Sequence, residues 1–471
     1  MSGTGEASEH EFAAAPPRPE VLPAQSWTLP PQRRHRLDGG LEMVAIDLPG
    51  QHVLSLRLGL PVALSSEPRD LEGVAWMVTR GLDEGTNRHS AQEFAELIER
   101  HGIALGAGIA DHGLVIEMEV TAAHFEPAVD VLAQCLTEAS YPDAEVARLK
   151  RARLSEIDQT RADAGGRGAL ELARAYYRSE DRASRMAGGE PETVARIAPA
   201  DVRRFYAECV RPQGAVLVLA GDLSGLDADP VATLADGLAG WTGTGEVRSA
   251  PSPPVMGRRR EDAAVTVFVD RPGSAQSYVQ MGRPGPGRRT PHGWGAYQVL
   301  AFLLGGSPQA RIDAVLREER GYTYGMRAGF RPLRGAGLCR VSGAVRADAT
   351  GPALATLREV LDIRGEDLTE AEVRHAADFV AKTAPGRYST ADAIAGELVR
   401  LALDGLGAEF VTDTVETART MTREKAAAAW DGVVAGPEWT TVVVGDAKRH
   451  LQDVERLGPV RCIAEQVLPA P

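Results

Sequence analysis

The stretch GVAWMVTRGLDEGT (73–86) decides the reading of this chain. It lies in a helical run that starts near Leu71 and is punctuated by glycines at 73, 81 and 85. Ahead of it, LEMVAIDL (41–48) and HVLSLRLGLPV (52–62) alternate as the two strands of a hairpin would. Behind it, SAQEFAELIERHG (90–102) reads as a capped amphipathic helix. Ser90 stands three residues before Glu93 as in a capping box, and Phe94, Leu97 and Ile98 form one apolar face. GIALGAGIADHGLVIEMEVT (102–121) then returns to strand alternation.

Further along, HFEPAVDVLAQCLTEA (124–139) and AEVARLKRARLSEIDQTRAD (144–163) are helical, and GAVLVLAGDL (214–223) is a short buried strand. The same order returns in the second half. AAVTVFVDRPG (263–273) and SYVQMGRPGPG (277–287) are strands, followed by the helices HGWGAYQVLAFLLGG (292–306) and PQARIDAVLREERG (308–321). GAGLCRVSGAVRAD (335–348) reads as a strand pair, and GPALATLREVLDIRG (351–365) and LTEAEVRHAADFVAKT (368–383) as helices. WTTVVVGDA (439–447) closes this half as GAVLVLAGDL closes the first, each on an apolar strand followed by Gly-Asp. The pattern predicts an α+β fold made of two homologous domains from an internal duplication, each an antiparallel-rich sheet covered by helices. Residues 1–36, rich in Ala and Pro, read as a flexible tail; 37–245 form the first domain, 246–262 a linker and 263–465 the second domain.

At 471 residues the chain suits two domains of ordinary size. It has 52 basic and 65 acidic residues, a formal net charge of −13, and no long Lys/Arg stripe. That balance argues against nucleic acid or an anionic membrane as the main partner and would suit basic or neutral substrates. Cys135, Cys209, Cys339 and Cys462 form no CxxC pair and read as buried small hydrophobes in a reducing compartment. The first residues carry no basic start followed by an apolar run, and no stretch has the length of a membrane span. The expectation is a cytoplasmic protein.

The order of elements, with GVAWMVTRGLDEGTNRHSAQEFAELIERHG (73–102), VLVLAGDL (216–223) and LLGGSPQARIDAVLREERGYTYG (303–325), resembles the pitrilysin/insulinase family of zinc peptidases. Size and layout are similar to its small processing-peptidase-like members, and the resemblance covers about 40 to 450. Active members carry H-x-x-E-H where this chain has Trp76-Met77-Val78-Thr79-Arg80. The two His of that motif lie on one helix face as zinc ligands, and the Glu is the base for zinc-bound water. A Glu on a later helix is the third ligand, leaving one open position. The resemblance implies that Trp76 and Arg80 occupy the two His positions, Thr79 the base position and Glu156, in RLSEIDQT (153–160), the third-ligand position. One donor of three remains, which implies no metal in this chain. Arg80 is expected to fill the vacated metal position and pair with Glu156.

No other catalytic set replaces it. The ten histidines make no close two-His helical spacing. His89 with Glu93 reads as a loop residue before a capped helix, and His112 and His124 as surface or satisfied core residues. Ser307 in GGSPQ lacks a nucleophile elbow, and LLGGSPQ (303–309) lacks the P-loop Lys, leaving a structural loop that enters a helix.

In LREERGYTYG (316–325), Arg317 and Tyr324 are seven residues apart, with Arg320 and Tyr322 as neighbours. In active relatives an Arg and a Tyr at this spacing reach from the C-terminal domain to the zinc site, where the phenol donates to the oxyanion and the guanidinium grips a substrate carbonyl or carboxylate. Read from residues alone, they are an Arg on a charged helix end and a Tyr in a core-packed strand. Some members work as pairs, one chain carrying H-x-x-E-H and the other Arg/Tyr. The resemblance thus implies a non-catalytic subunit of a heteromeric zinc endopeptidase that processes peptides or leader segments. Its partner would be a homologous H-x-x-E-H subunit holding the zinc, as a heterodimer or larger. The alternatives are a non-proteolytic scaffold or peptide-binding protein of the same fold, and a stand-alone peptidase with other ligands.

Overall fold

Two apolar runs, VLVLAG at Val216–Gly221 and TTVVVG at Thr440–Gly445, are buried at every residue. A strand that is apolar on both faces is stable only inside a sheet covered on both sides. In the computed structural model, which describes residues 22–242, 257–333, 337–433 and 438–464, both runs take such places. The first sheet is built from β1 (Arg33–Arg36), β2 (Glu42–Asp47), β3 (Val53–Leu60), β4 (Ala104–Ile109), β5 (Leu114–Thr121) and β6 (Val216–Gly221), in the order β1-β2-β6-β3-β5-β4. The second has β7 (Thr266–Asp270), β8 (Gln276–Gly285), β9 (Thr323–Pro332), β10 (Gly337–Arg346), β11 (Thr440–Gly445) and β12 (Val460–Ile463), in the order β12-β7-β11-β8-β10-β9.

The hairpin expected from 41–62 does not form. β6 lies between β2 and β3, parallel to the first and antiparallel to the second. Alternation showed two strands but not the later one that separates them. GAGLCRVSGAVRAD likewise holds one long strand, β10, which pairs with β8 and β9 on its two sides. Of the supposed tail, 22–36 are placed against the fold. Trp27 stacks on Tyr388 at 5.4 Å, Leu29 is buried, and β1 pairs with β2. Residues 1–21 and the linker up to 256 lie outside the described residues. The linker's last part is pinned to the first half, where the buried Asp181 carboxylate accepts from the backbone N–H of Gly257 (3.0 Å) and Arg258 (2.9 Å). Cys135 and Cys339 are buried as expected, but Cys209 is only half-buried and Cys462 is exposed.

The duplication is visible hydrogen bond by hydrogen bond. After each closing strand the Gly-Asp carboxylate accepts a glycine N–H from the loop ahead of β3 or β8: Asp222 from Gly50 at 2.8 Å, Asp446 from Gly273 at 3.0 Å. Arg57 lies opposite Val218 and Gln280 opposite Val442, which makes them equivalents. Each reaches into a helix that the other half supplies. Arg57 pairs with Asp392 on the Ala391–Leu403 helix, and Gln280 Nε2 donates to Gly165 O (3.1 Å) on the Ala164–Tyr176 helix. The first of these helices buries Ile394, Ala395, Leu398 and Val399 on Val44, Ile46, Val216 and Val218 of the first sheet. The second lays Leu172 and Ala175 on Val267, Val269, Val442 and Val444 of the second. Each half therefore completes the other's core. Among the described residues no helix is long and apolar enough to cross a membrane.

Candidate functional site

The Val74–Arg80 helix is held at its start by a buried ion pair. Glu67 accepts the N–H groups of Gly73 (2.9 Å) and Ala75 (3.0 Å), taking up donors that a helix N-terminus leaves free. Gly73 has φ of 106°, and a Cβ there would sit 2.8 Å from Gly188 O, so the entry needs glycine. The Glu67 carboxylate pairs with Arg182 at 2.9 Å, both side chains buried. Arg182 also donates to Met186 O (2.9 Å) and Ala187 O (2.8 Å). Burial pushes the Glu67 carboxyl above its ordinary range, with Arg182 opposing. Alongside, Glu72 holds Arg185 through two bonds of 2.7 and 2.8 Å.

Around a cavity of about 270 Å³ the structure brings together Trp76, Thr79, Arg80 and Glu156, with Leu105, Gly106 and Ala107 of β4 on one wall. Sequence reading missed two further lining carboxylates, Asp83 and Glu84, and the paired Arg148. The Thr79 hydroxyl is turned onto its own helix, donating to Trp76 O at 2.9 Å. The expected Arg80–Glu156 pair is absent among the described residues. Glu156 is taken by Arg153, one turn back on its own helix, at 3.1 Å. Arg80 instead lies over the Trp76 ring, 5.7 Å from its centroid, and the Arg153 guanidinium is 5.4 Å from that centroid. The reason is burial. Arg153 is buried and needs a counter-charge, whereas the exposed Arg80 keeps its hydration.

Zinc needs three protein ligands around one point. Of the four positions carried over from the family motif, only Glu156 is a competent donor, and Arg153 occupies its carboxylate. Among the described residues no three His, Cys, Asp or Glu side chains gather as metal ligands. The residues present do not fit the metal.

In the second half, Arg317 sits in the π-helical turn Ala314–Glu319, its guanidinium partly exposed and 3.3 Å from Glu318. The chain reverses at Gly321, where φ is +63°, and enters β9, the outermost strand of its sheet. Tyr324 is the second residue of β9 and is 90% exposed. A tyrosine that packs on the core, the reading from the residues alone, is thus corrected: Met326 and Thr323 face inward there. The Tyr324 hydroxyl has no hydrogen-bond partner among the described residues. Of the other candidates, His89 contacts Gln134 at 3.0 Å beside the Ser90–Glu93 capping box, and Ser307 lies in the turn after the Trp294–Gly305 helix. His112 reaches across the halves to the buried Asp404 at 2.5 Å, a contact that periodicity has no means to show.

Residues 43–188 match the model of the insulinase family, peptidase family M16, and residues 196–378 that of the peptidase M16 inactive domain. The chain belongs to this family, as a member without the zinc-ligand motif. An uncharacterized zinc protease of Mycobacterium leprae is 26% identical over 345 residues, covering 72% of this chain and 75% of that one. A Helicobacter pylori protein named as a non-peptidase homolog is 22% identical over 252 residues, 54% of this chain and 56% of its own. The peptidase M16 inactive domain from Pseudomonas fluorescens superposes with a TM-score of 0.77 at 22% identity, over 88% of this chain and 98% of that one. A protease from Helicobacter pylori gives 0.77 at 15% identity, over 88% and 100%. These two likenesses establish the fold.

Proposed function

We propose that this chain is the non-catalytic subunit of a heteromeric zinc endopeptidase that processes peptides, supplying Arg317 and Tyr324 to an H-x-x-E-H partner that holds the zinc. The observation that carries the reading is Tyr324: an aromatic residue 90% exposed on an edge strand, its hydroxyl unpartnered among the described residues, in a chain whose own metal position is dismantled. Exposing such a ring to water forgoes the burial that usually stabilises it. A phenol aimed at a partner's oxyanion gives that exposure a use. The test is to co-express this chain with a family member of similar length that carries H-x-x-E-H and to assay peptide cleavage by each alone and together. Cleavage that requires both chains is the expected result. A stable complex in which this chain leaves turnover unchanged supports a scaffold instead.

A further inference from the structure

The wall of the dismantled site holds a cation that stands outside the ion pairs around it among the described residues. Arg80 makes no ion pair among the described residues and is exposed, yet it is held in place by the Trp76 ring beneath it. The cations and carboxylates around it are already matched. Glu156 is bound by Arg153, which also donates to Gly188 O at 2.9 Å, and Glu84 is bound by Arg148. Asp83 is the remaining acid, and its carboxyl is raised from the ordinary range, chiefly by desolvation, with Arg80 only one of the smaller opposing influences. A guanidinium resting on an indole keeps its in-plane N–H donors free, in the fork that fits a carboxylate.

Next to this fork runs an open strand edge. Among the described residues β4 pairs only with β5, so every second residue of Ala104–Ile109 turns an N–H and a C=O away from the sheet. Leu105, Gly106 and Ala107 of that strand line the same cavity as Arg80. Gly106 and Gly108 have open space where a Cβ would be, so the outward face of this strand is unobstructed beside its edge. An extended backbone can add to the edge while one of its side chains enters the cavity.

We infer that this cavity is a peptide-binding subsite that reads an acidic side chain, with Arg80 receiving the Asp or Glu carboxylate of an extended segment laid along β4. A position where a metal peptidase carries a zinc ligand here carries an organic cation that lines the cavity. It selects a substrate's charge without touching its scissile bond. A guanidinium preorganised on an indole discriminates a carboxylate from the isosteric amide, because only the former makes a charge-assisted, bidentate bond.

The inference concerns this chain alone, so its fate and that of the proposed partnership are separable. The probes are two fluorescein-labelled ten-residue peptides of alternating Thr and Val, identical except for a central Glu or Gln, titrated with the purified full chain and followed by anisotropy. The Glu peptide is expected to bind about tenfold more tightly at low salt, with the preference shrinking as salt rises. Arg80→Gln should abolish the preference, and Arg80→Lys should retain part of it. Arg80 is exposed, so neither change threatens folding, and thermal melts of the variants check this. Equal affinity for the two peptides, no binding of either at millimolar concentration, or a preference that survives in Arg80→Gln would each overturn the inference. Cleavage by the assembled pair bears on the partnership alone.

Discussion

Trp76 sets the chemistry of its surroundings at the scale of single residues. An indole at a former ligand position gives Arg80 and Arg153 a common aromatic face, and it is Arg153 that then claims Glu156. Replacing Trp76→His, Thr79→Glu and Arg80→His should therefore create zinc affinity that the parent lacks, because Glu156 is already near. The gain should stay modest while Arg153 competes for that carboxylate. Competition against a chromophoric chelator measures it, and a folded triple variant no better than the parent would mean that Glu156 is not a vestigial ligand. Arg317 and Tyr324 should matter only in a complex. Tyr324→Phe should lower its kcat by about 10²–10³, the usual cost of one oxyanion donor, and Arg317→Ala should mainly raise KM. Full activity of the double variant with an H-x-x-E-H partner removes the proposed role. The members of this site were legible because residue type and spacing carry them. Their pairing was not, since Arg153 lies outside the motif and its burial is a tertiary property.

At the scale of elements, the Val74–Arg80 helix is too short to stand alone, as isolated helices under about 12 residues are marginal in water. Tertiary anchors hold it, and Glu67 is the chief one. Glu67→Ala would leave the helix N–H groups of Gly73 and Ala75 and the buried Arg182 without their carboxylate. Breaking a buried pair from one side costs about 3–5 kcal/mol, which is the destabilisation expected in urea unfolding. Glu67→Gln, which still accepts both N–H bonds, should cost less, and an equal loss in the two variants would show that charge pairing alone matters. The neighbouring Ala91–Arg100 helix makes the contrast. Its capping box, Ser90 with Glu93, is local in sequence and was readable there, and both of its hydrogen bonds are formed. Glu67 and Arg182 are 115 residues apart, and no local rule joins them. Sequence separation likewise hid β6 from the reading of 41–62 as a hairpin.

For the whole molecule, the exchange of helices between the halves is the decisive feature. Gly59 and Gly282 are equivalent positions, opposite Val216 and Thr440 in their sheets, and each faces the helix lent by the other half. A Cβ at Gly59 would fall 2.6 Å from Val399 Cγ2, whereas one at Gly282 would meet Leu338 and Leu172 methyls at 3.2 and 3.3 Å. Gly59→Ala should thus destabilise by about 1–3 kcal/mol through overpacking, and Gly282→Ala by less. Comparable midpoints for the two in urea would mean that the first interface yields as easily as the second. The repeat itself was legible, because each half keeps its Gly-Asp closure. The exchange was not, since the amphipathic stretch ADAIAGELVRLAL (391–403) does not say which sheet it covers.

The exchange also bears on whether a half can live alone. Without residues 391–403 the first sheet would present Val44, Ile46, Val216 and Val218 to water, and without 164–176 the second would present Val267, Val269, Val442 and Val444. Contiguous apolar sheet faces of this kind drive association. Residues 1–242 and 257–471 expressed separately should therefore be insoluble or bind a hydrophobic dye, while the two expressed together should co-purify as one particle of the intact size. Size-exclusion chromatography and chemical unfolding decide the matter. A single half that is monomeric and unfolds cooperatively would show that its sheet is stable without the borrowed helix. The equivalent contacts of Arg57 with Asp392 and Gln280 with Gly165 would then serve to orient the halves instead of stabilising them.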